Sequence, residues 1–196
     1  MLSVVIATQD SERPLVTTLA ALVPGATAGM VREVIVADGG SRDQTQEVAD
    51  IAGCRIVALP AAPVAARLAA AAKAARSPWL MFLRPGVVPD PTWIGEVMGF
   101  IEAVQRSGQA DTHAATFRLA RSANPLRSAV AEAFSALRRW PHPDQGMVIS
   151  QRGYDALGGH RTGAQDPESD FIHRIGRRRI VLLRCGAAAP GALTDA

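Results

Sequence analysis

The sequence predicts an α/β fold: a mostly parallel central sheet flanked by helices, with an antiparallel addition from the second half. Three observations carry this reading. Short apolar runs rich in β-branched residues recur at 2–8, 32–40, 54–60 and 78–84. A helical segment separates each run from the next, at 11–25, 41–53 and 63–76. Each run ends in turn-forming or polar residues. Strands buried on both faces lack polar alternation, and repeated strand–helix units build a parallel sheet through right-handed crossovers.

The elements follow in order. In the first helix Ser11 is the N-cap, Leu15, Leu19 and Leu22 sit at helical spacing, and Pro24-Gly25 marks the stop. The second helix takes Ser41 or Asp43 as its cap and ends at Gly53. The third, over 63–76, is alanine-rich and strong on propensity. Beyond 91 the pattern loosens. An amphipathic helix over 91–108 places Trp93, Val97, Ile101 and Val104 on one side, with Pro91 near its first turn. Weak alternation at 113–121 fits an antiparallel strand, and 124–140 reads as a further amphipathic helix. A strand and a short helix follow in 145–160, closed by Gly158-Gly159. The helix over 166–178 carries acids in its first turn, where the helix dipole favours them. A last strand spans 179–185. The chain is expected to form one domain over 1–185, with halves 1–90 and 91–185, and a flexible tail over 186–196.

Composition narrows the function classes. The chain has 196 residues, 48% hydrophobic and 20% charged, which fits a globular domain and not a disordered chain. A net charge of +3 is too mild to argue for nucleic acid. The basic excess is concentrated between Arg118 and Arg184, where twelve arginines face six acids. That suits phosphate groups or an anionic membrane surface, and equally a solvated helix face. The helix over 124–140, with Arg127, Arg138 and Arg139 beside Leu126, Val130 and Phe134, is the candidate for peripheral membrane contact. A core-facing helix with an arginine outer face explains it as well. Cys54 and Cys185 form no metal spacing and no disulfide framework, and read as thiols in a reducing compartment. With no leader pattern and no long apolar stretch, a cytoplasmic location is expected, in reach of the inner membrane face.

In parallel sheets ligands bind beyond the carboxyl ends of the strands. The loops to watch are 7–11, 38–43, 60–67 and 84–90. In "VADGGSRDQT" Asp38 closes a strand before two glycines, placed to accept hydrogen bonds from a ribose hydroxyl or a base N–H. An ordinary Asp-Gly turn has the same appearance. In "FLRPGVVPD" the turn carries Arg84 and no carboxylate.

"LSVVIAT", "EVIVADGGSRDQT" and "WLMFLRPGVVPDPTW", followed by "DQGMVISQRGYDALGGH" and "DPESDFIHRIGRRRIV", resemble in order and spacing the family-2 glycosyltransferases of the GT-A fold. The likeness covers roughly residues 2 to 184 and is closest to a bacterial subgroup of short members. It implies transfer of a sugar from a nucleoside-diphosphate sugar to an acceptor, lipid-linked acceptors being frequent in the family, and no nucleic-acid partner. By the same resemblance Ala7, Thr8 and Asp10 match the loop that cups the nucleotide, Asp10 standing where asparagine is usual. Asp38 matches the aspartate that holds the base or ribose, and Arg67 lies near the nucleotide. Asp144, Gln145 and Gly146 match a loop on the acceptor side. Glu168 matches the general base of inverting members, with Asp170 close by.

Two departures from the family pattern stand out. Arg84 and Gly86 occupy the ends of the aspartate-x-aspartate motif, so a divalent Mn or Mg loses its expected ligands; no metal ligand is assigned, and metal dependence is expected to be weak or absent. Asp90 lies four residues beyond Gly86, too far to stand in. Arg84 could instead meet the diphosphate directly, as a guanidinium does well. Ala69 and Ala71 replace the usual asparagine and glycine. Both departures also suit the alternative, a catalytically inactive binding domain that kept the fold.

Overall fold

The computed structural model describes residues 1–119 and 141–188. The helix expected over 124–140, with its basic face, lies outside the described residues, as does 189–196.

Four strands and three helices alternate first: β1 (Leu2–Thr8), α1 (Glu12–Thr27), β2 (Val31–Asp38), α2 (Thr45–Ile51), β3 (Arg55–Ala58), α3 (Val64–Ala74) and β4 (Trp79–Leu83). A short β5 (Val88–Pro89) leads to α4 (Trp93–Arg106) and β6 (Ala114–Leu119). A 3-10 turn at Pro143–Gln145 precedes β7 (Met147–Ser150), α5 (Gln151–Ala156), α6 (Pro167–Ile175) and β8 (Ile180–Ala188). The eight strands form one sheet in the order β3-β2-β1-β4-β7-β6-β8-β5. Pairings β3–β2, β2–β1, β1–β4 and β6–β8 are parallel, while β4–β7, β7–β6 and β8–β5 are antiparallel. The expected parallel half with an antiparallel addition is therefore the observed architecture.

The strand runs are apolar throughout because both faces are covered. On β1, Leu2, Val4 and Ile6 join Leu15 and Leu22 of α1 and Trp93 and Val97 of α4 in one core. Val5 belongs to a second core on the opposite face, with Leu68 and Ala71 of α3, Tyr154 of α5 and Phe171 of α6. The same alternation splits Met81 and Leu83 from Leu80 and Phe82 on β4. Ala71 is thus a core residue, fully buried.

Two expectations need correction, and Ser11 takes the N-cap position of α1 as expected. Pro24 does not end α1, which continues to Thr27. A proline removes one hydrogen bond, and here the last turn is held by Ala28 N–H to Pro24 O (3.0 Å) and Met30 N–H to Gly25 O (2.9 Å). Ser11 makes no capping bond through its side chain; Glu12 N–H is met by Asp43 from the next loop (3.0 Å). The segment 186–188 is not a loose tail. Ala187 and Ala188 pair with Pro89 and Val88 of β5, and Gly186 and Ala187 pair with β6. Cys185 is buried and Cys54 half-buried, both as free thiols. Among the described residues no helix is long and apolar enough to cross a membrane.

Gly25 shows how closely α1 is set against α4. A Cβ there would lie 2.4 Å from Trp93 Cζ2 and 3.0 Å from Val31 Cγ2. Alanine gains about 1 kcal/mol over glycine in a helix, but overpacking a rigid indole costs about 1–3 kcal/mol. Gly25→Ala is expected to lower unfolding free energy by about 1–2 kcal/mol in a chemical denaturation series, the steric term outweighing propensity. A variant more stable than the parent would show that Trp93 shifts freely.

Candidate active site

Strands β1 to β4 end at one edge of the sheet, at Thr8, Asp38, Ala58 and Leu83. A cleft of about 540 Å³ opens there. Its walls come from the β1 loop (Ala7, Thr8), from α3 (Arg67), from the turn after β4 (Arg84), and from Asp144 and Glu168 of the second half. The fold thus gathers six of the residues singled out in the sequence.

Asp38 and Asp10 are not among the lining residues. Asp38 is fully buried. Its carboxylate accepts from Thr8 Oγ1 (3.0 Å), Gly40 N–H (2.9 Å), Ser41 N–H (2.9 Å), Gln46 Nε2 (2.8 Å) and the Ser41 hydroxyl. It therefore organises the 39–46 loop, and its oxygens are already engaged. Burial pushes this carboxyl up, but the hydrogen bonds led by Ser41 outweigh it and hold the pKa down to about 2. Asp10 works on the same loop from the other side, accepting Arg42 N–H at 2.7 Å. Its φ of 48° lies in the left-handed region, where Asn and Asp are the best-tolerated side chains after glycine.

Arg67 is 4% exposed, yet its guanidinium borders the cleft. Nη1 donates to the Thr8 carbonyl, and Nε is buried without a hydrogen-bond partner among the described residues. Burial lowers the pKa of this guanidinium, and Asp38 pulls the other way. Gly39 lets the guanidinium sit close to the backbone, since a Cβ would stand 2.8 Å from Arg67 Nη1 and push it aside.

Arg84 stands at the mouth. Its Nε and Nη2 both donate to Glu168 Oε2, at 2.7 and 2.6 Å. Nη1 donates to Asp144 Oδ1 at 3.0 Å, and Asp166 lies 3.9 Å from Nη2. Burial works against the Arg84 charge, but Glu168 and Asp144 more than restore it, so its pKa is raised. Burial pushes the Glu168 carboxyl above its ordinary value; Arg84 pulls it down without cancelling the rise. Asp166 caps α6 through Ser169 N–H (3.2 Å) and Pro167 opens the helix, which aims Glu168 at the cleft.

The remaining sequence candidates do not line the cleft and make contacts of their own. Asp170 pairs with Arg174 one turn on (2.8 Å), and Arg174 also donates to the carbonyls of Leu157 and Gly159. Gln145 is buried, donating to Phe117 O (2.6 Å) and accepting His142 N–H (2.6 Å). At Gly146, φ is 63° and a Cβ would meet Leu83 Cδ2 at 2.6 Å. Of "DQG", only Asp144 faces the cleft. Asp90 accepts from Thr92 N–H (2.7 Å) at the start of α4. His160, 5% exposed among Phe82, Tyr154 and Phe171, has its pKa lowered by burial to about 4. Asp166 is the contributor that sequence reading left without a role.

The turn after β4 offers no carboxylate, and the three acids near it converge on a guanidinium. Among the described residues no group of three or more His, Cys, Asp or Glu side chains is arranged to hold a metal ion.

The family model described as glycosyl transferase family 2 matches residues 3–155. The chain belongs to glycosyl transferase family 2. Solved structures of similar fold include S. aureus TarS 1–349, with a TM-score of 0.74 at 14% identity over 96% of this chain and 60% of that one. The same protein in complex with UDP-GlcNAc gives a TM-score of 0.72 at 15% identity over 96% and 58%. Glucosyl-3-phosphoglycerate synthase from Mycobacterium tuberculosis, in complex with Mn2+, UDP and glucosyl-3-phosphoglycerate, gives 0.62 at 20% identity over 93% and 68%. At these identities the likeness speaks for the fold. The chain spans about 60% of the length of TarS 1–349. No curated protein matches it.

The buried Asp38 makes stability depend on acid. Folding depresses its pKa, so its contribution is complete above the ordinary value of 3.8 and is lost as pH falls toward about 2. Asp38→Ala is expected to cost about 2–3 kcal/mol at pH 7, since it strips a buried loop of its acceptor. In denaturant melts the gap between parent and variant should narrow from pH 4 to pH 2; a constant gap would contradict the ionised, loop-holding role.

Proposed function

We propose that the chain transfers a glycosyl group from a nucleoside-diphosphate sugar to an acceptor hydroxyl, using arginine and no divalent metal to meet the diphosphate. One observation carries the reading: Arg84 lies at the cleft mouth in direct contact with Glu168, so that cation and base candidates share one site. Family membership supports the reaction class. The bound UDP-GlcNAc of TarS and the bound UDP of glucosyl-3-phosphoglycerate synthase support a nucleoside diphosphate in the corresponding cleft.

The chemistry follows from the groups present. The acceptor oxygen attacks the anomeric carbon as the bond from that carbon to the β-phosphate oxygen breaks. The electron pair leaves with the diphosphate, and the hydroxyl proton passes to the Glu168 carboxylate. A carboxyl whose pKa is raised by burial is a better base than an ordinary one. The leaving diphosphate gains charge, which Arg84 can meet with charge-assisted hydrogen bonds, and the buried Arg67 adds a second positive group on the same cleft. Asp38 supports the nucleotide side by holding the loop between β2 and α2. The second reading, an inactive binding domain, is favoured by one fact: Glu168 and Asp144 already engage all three nitrogens of Arg84.

Calorimetric titration with UDP and GDP, with and without Mn2+, tests the proposal. Binding of one nucleotide with no dependence on Mn2+, weakened about tenfold or more in Arg84→Ala, is the expected outcome. A folded protein that binds neither would refute it. For turnover, Glu168→Gln should lower kcat by roughly 10²–10⁴, the usual range for a lost general base.

A further inference from the structure

Arg84 faces two claims on one guanidinium. The edge formed by Nε and Nη2, which grips an oxyanion most firmly, is filled by a single Glu168 oxygen at 2.7 and 2.6 Å. Nη1 is held by Asp144 at 3.0 Å, and Asp166 stands 3.9 Å from Nη2. Three carboxylates around one cation leave this spot with an excess of negative charge. A diphosphate is itself a multiple anion. It would gain nothing from an arginine fully engaged by carboxylates, and it would be repelled by them. The Arg84 side chain is 34% exposed, so it has room to turn outward. Glu168 sits deeper, 17% exposed, on the rigid first turn of α6.

We infer that Glu168 and Asp144 compete with the donor's diphosphate for Arg84, so that donor capture draws the guanidinium away and uncovers the Glu168 carboxylate. This rests on the proposed function and adds an order of events to it. Before the donor binds, Glu168 is bonded to a cation and unavailable as a base. Once the diphosphate holds Arg84, Glu168 loses its partner next to the site where the acceptor hydroxyl must approach. Glu168 thus has two tasks: proton acceptor in the transfer, and holder of Arg84 in the free protein. Asp144, which also contacts His142 Nδ1 (3.2 Å), is a positioning residue that acts through Arg84.

A double-mutant cycle on nucleotide affinity tests this, using UDP and GDP with uridine and guanosine as controls lacking the diphosphate. Glu168→Gln should bind the preferred diphosphate about tenfold tighter than the parent, because Arg84 no longer has to be released, and should leave nucleoside affinity unchanged. In an Arg84→Ala background the same exchange should change affinity less than about twofold. A gain of equal size in both backgrounds would mean simple relief of repulsion and would overturn the inference, as would unchanged or weaker binding in Glu168→Gln. A parent protein that binds neither UDP nor GDP would instead bring down the proposed function. Should Glu168→Gln not fold, Asp144→Asn runs the same cycle through Nη1 with a smaller expected gain. In the parent itself, the Arg84 Nε–H resonance should move on saturation with the diphosphate and stay in place with the nucleoside; a resonance unmoved by both contradicts the exchange.

Discussion

The guanidinium of Arg84 ties the two halves of the domain together at the point where chemistry would occur. It leaves the end of β4, in the parallel half, and reaches Asp144 beside the 3-10 turn and Glu168 on α6, both in the second half. These are charge-assisted hydrogen bonds at the edge of a cleft, where solvent reaches part of the side chains. Their net contribution to stability is therefore modest, but their geometric demand is strict. The Asp144 loop and the α6 N-terminus must both be in place for one cation to satisfy both carboxylates. The positions of the Asp144 loop and of the α6 N-terminus are consequently not independent variables.

A second polar centre lies deeper and does a different job. Asp38 and Arg67 sit under the ends of β1 and β2, both nearly devoid of solvent contact. Asp38 is fully satisfied by the loop it organises, whereas Arg67 retains a buried, unpartnered Nε beside the cleft. Buried polar groups normally find partners, so the asymmetry is informative. The acid holds protein to protein, and the arginine borders the cleft with one buried donor left over. Gly39 is the structural condition for this, because any side chain there would displace the guanidinium.

Much of this was legible in the sequence, and the failures have physical causes. Strands β1, β2 and β4 stood out because burial on both faces selects unbroken apolar runs. The end of β8 did not, because "GAA" has no strand propensity; its pairing is imposed by β5 and β6. Asp38 could not be assigned from sequence, since an aspartate at a strand tip looks alike whether it meets a ribose or its own loop. Glu168 and Asp170 are separable from the sequence. Two residues apart on a helix point some 200° apart, and Arg174 at i+4 from Asp170 gave the pairing away. Arg84's partners were out of reach, lying 60 and 84 residues away in sequence.

The turn after β4 is held independently of the side chain at position 84. Gly86 adopts φ 87°, and its N–H donates to Thr18 Oγ1 (2.8 Å) and to Pro14 O (3.0 Å), both on α1. Backbone contacts to α1 thus set the turn, and the side chain at 84 is free to change sign without moving it. Its surroundings are not indifferent to that sign. With Asp144, Asp166 and Glu168 in place, an aspartate at 84 would gather four carboxylates with no cation of the chain among them. Arginine removes that conflict. Arg84 and the acids of the second half therefore form one electrostatic unit, and a change at any of them alters what the others can hold.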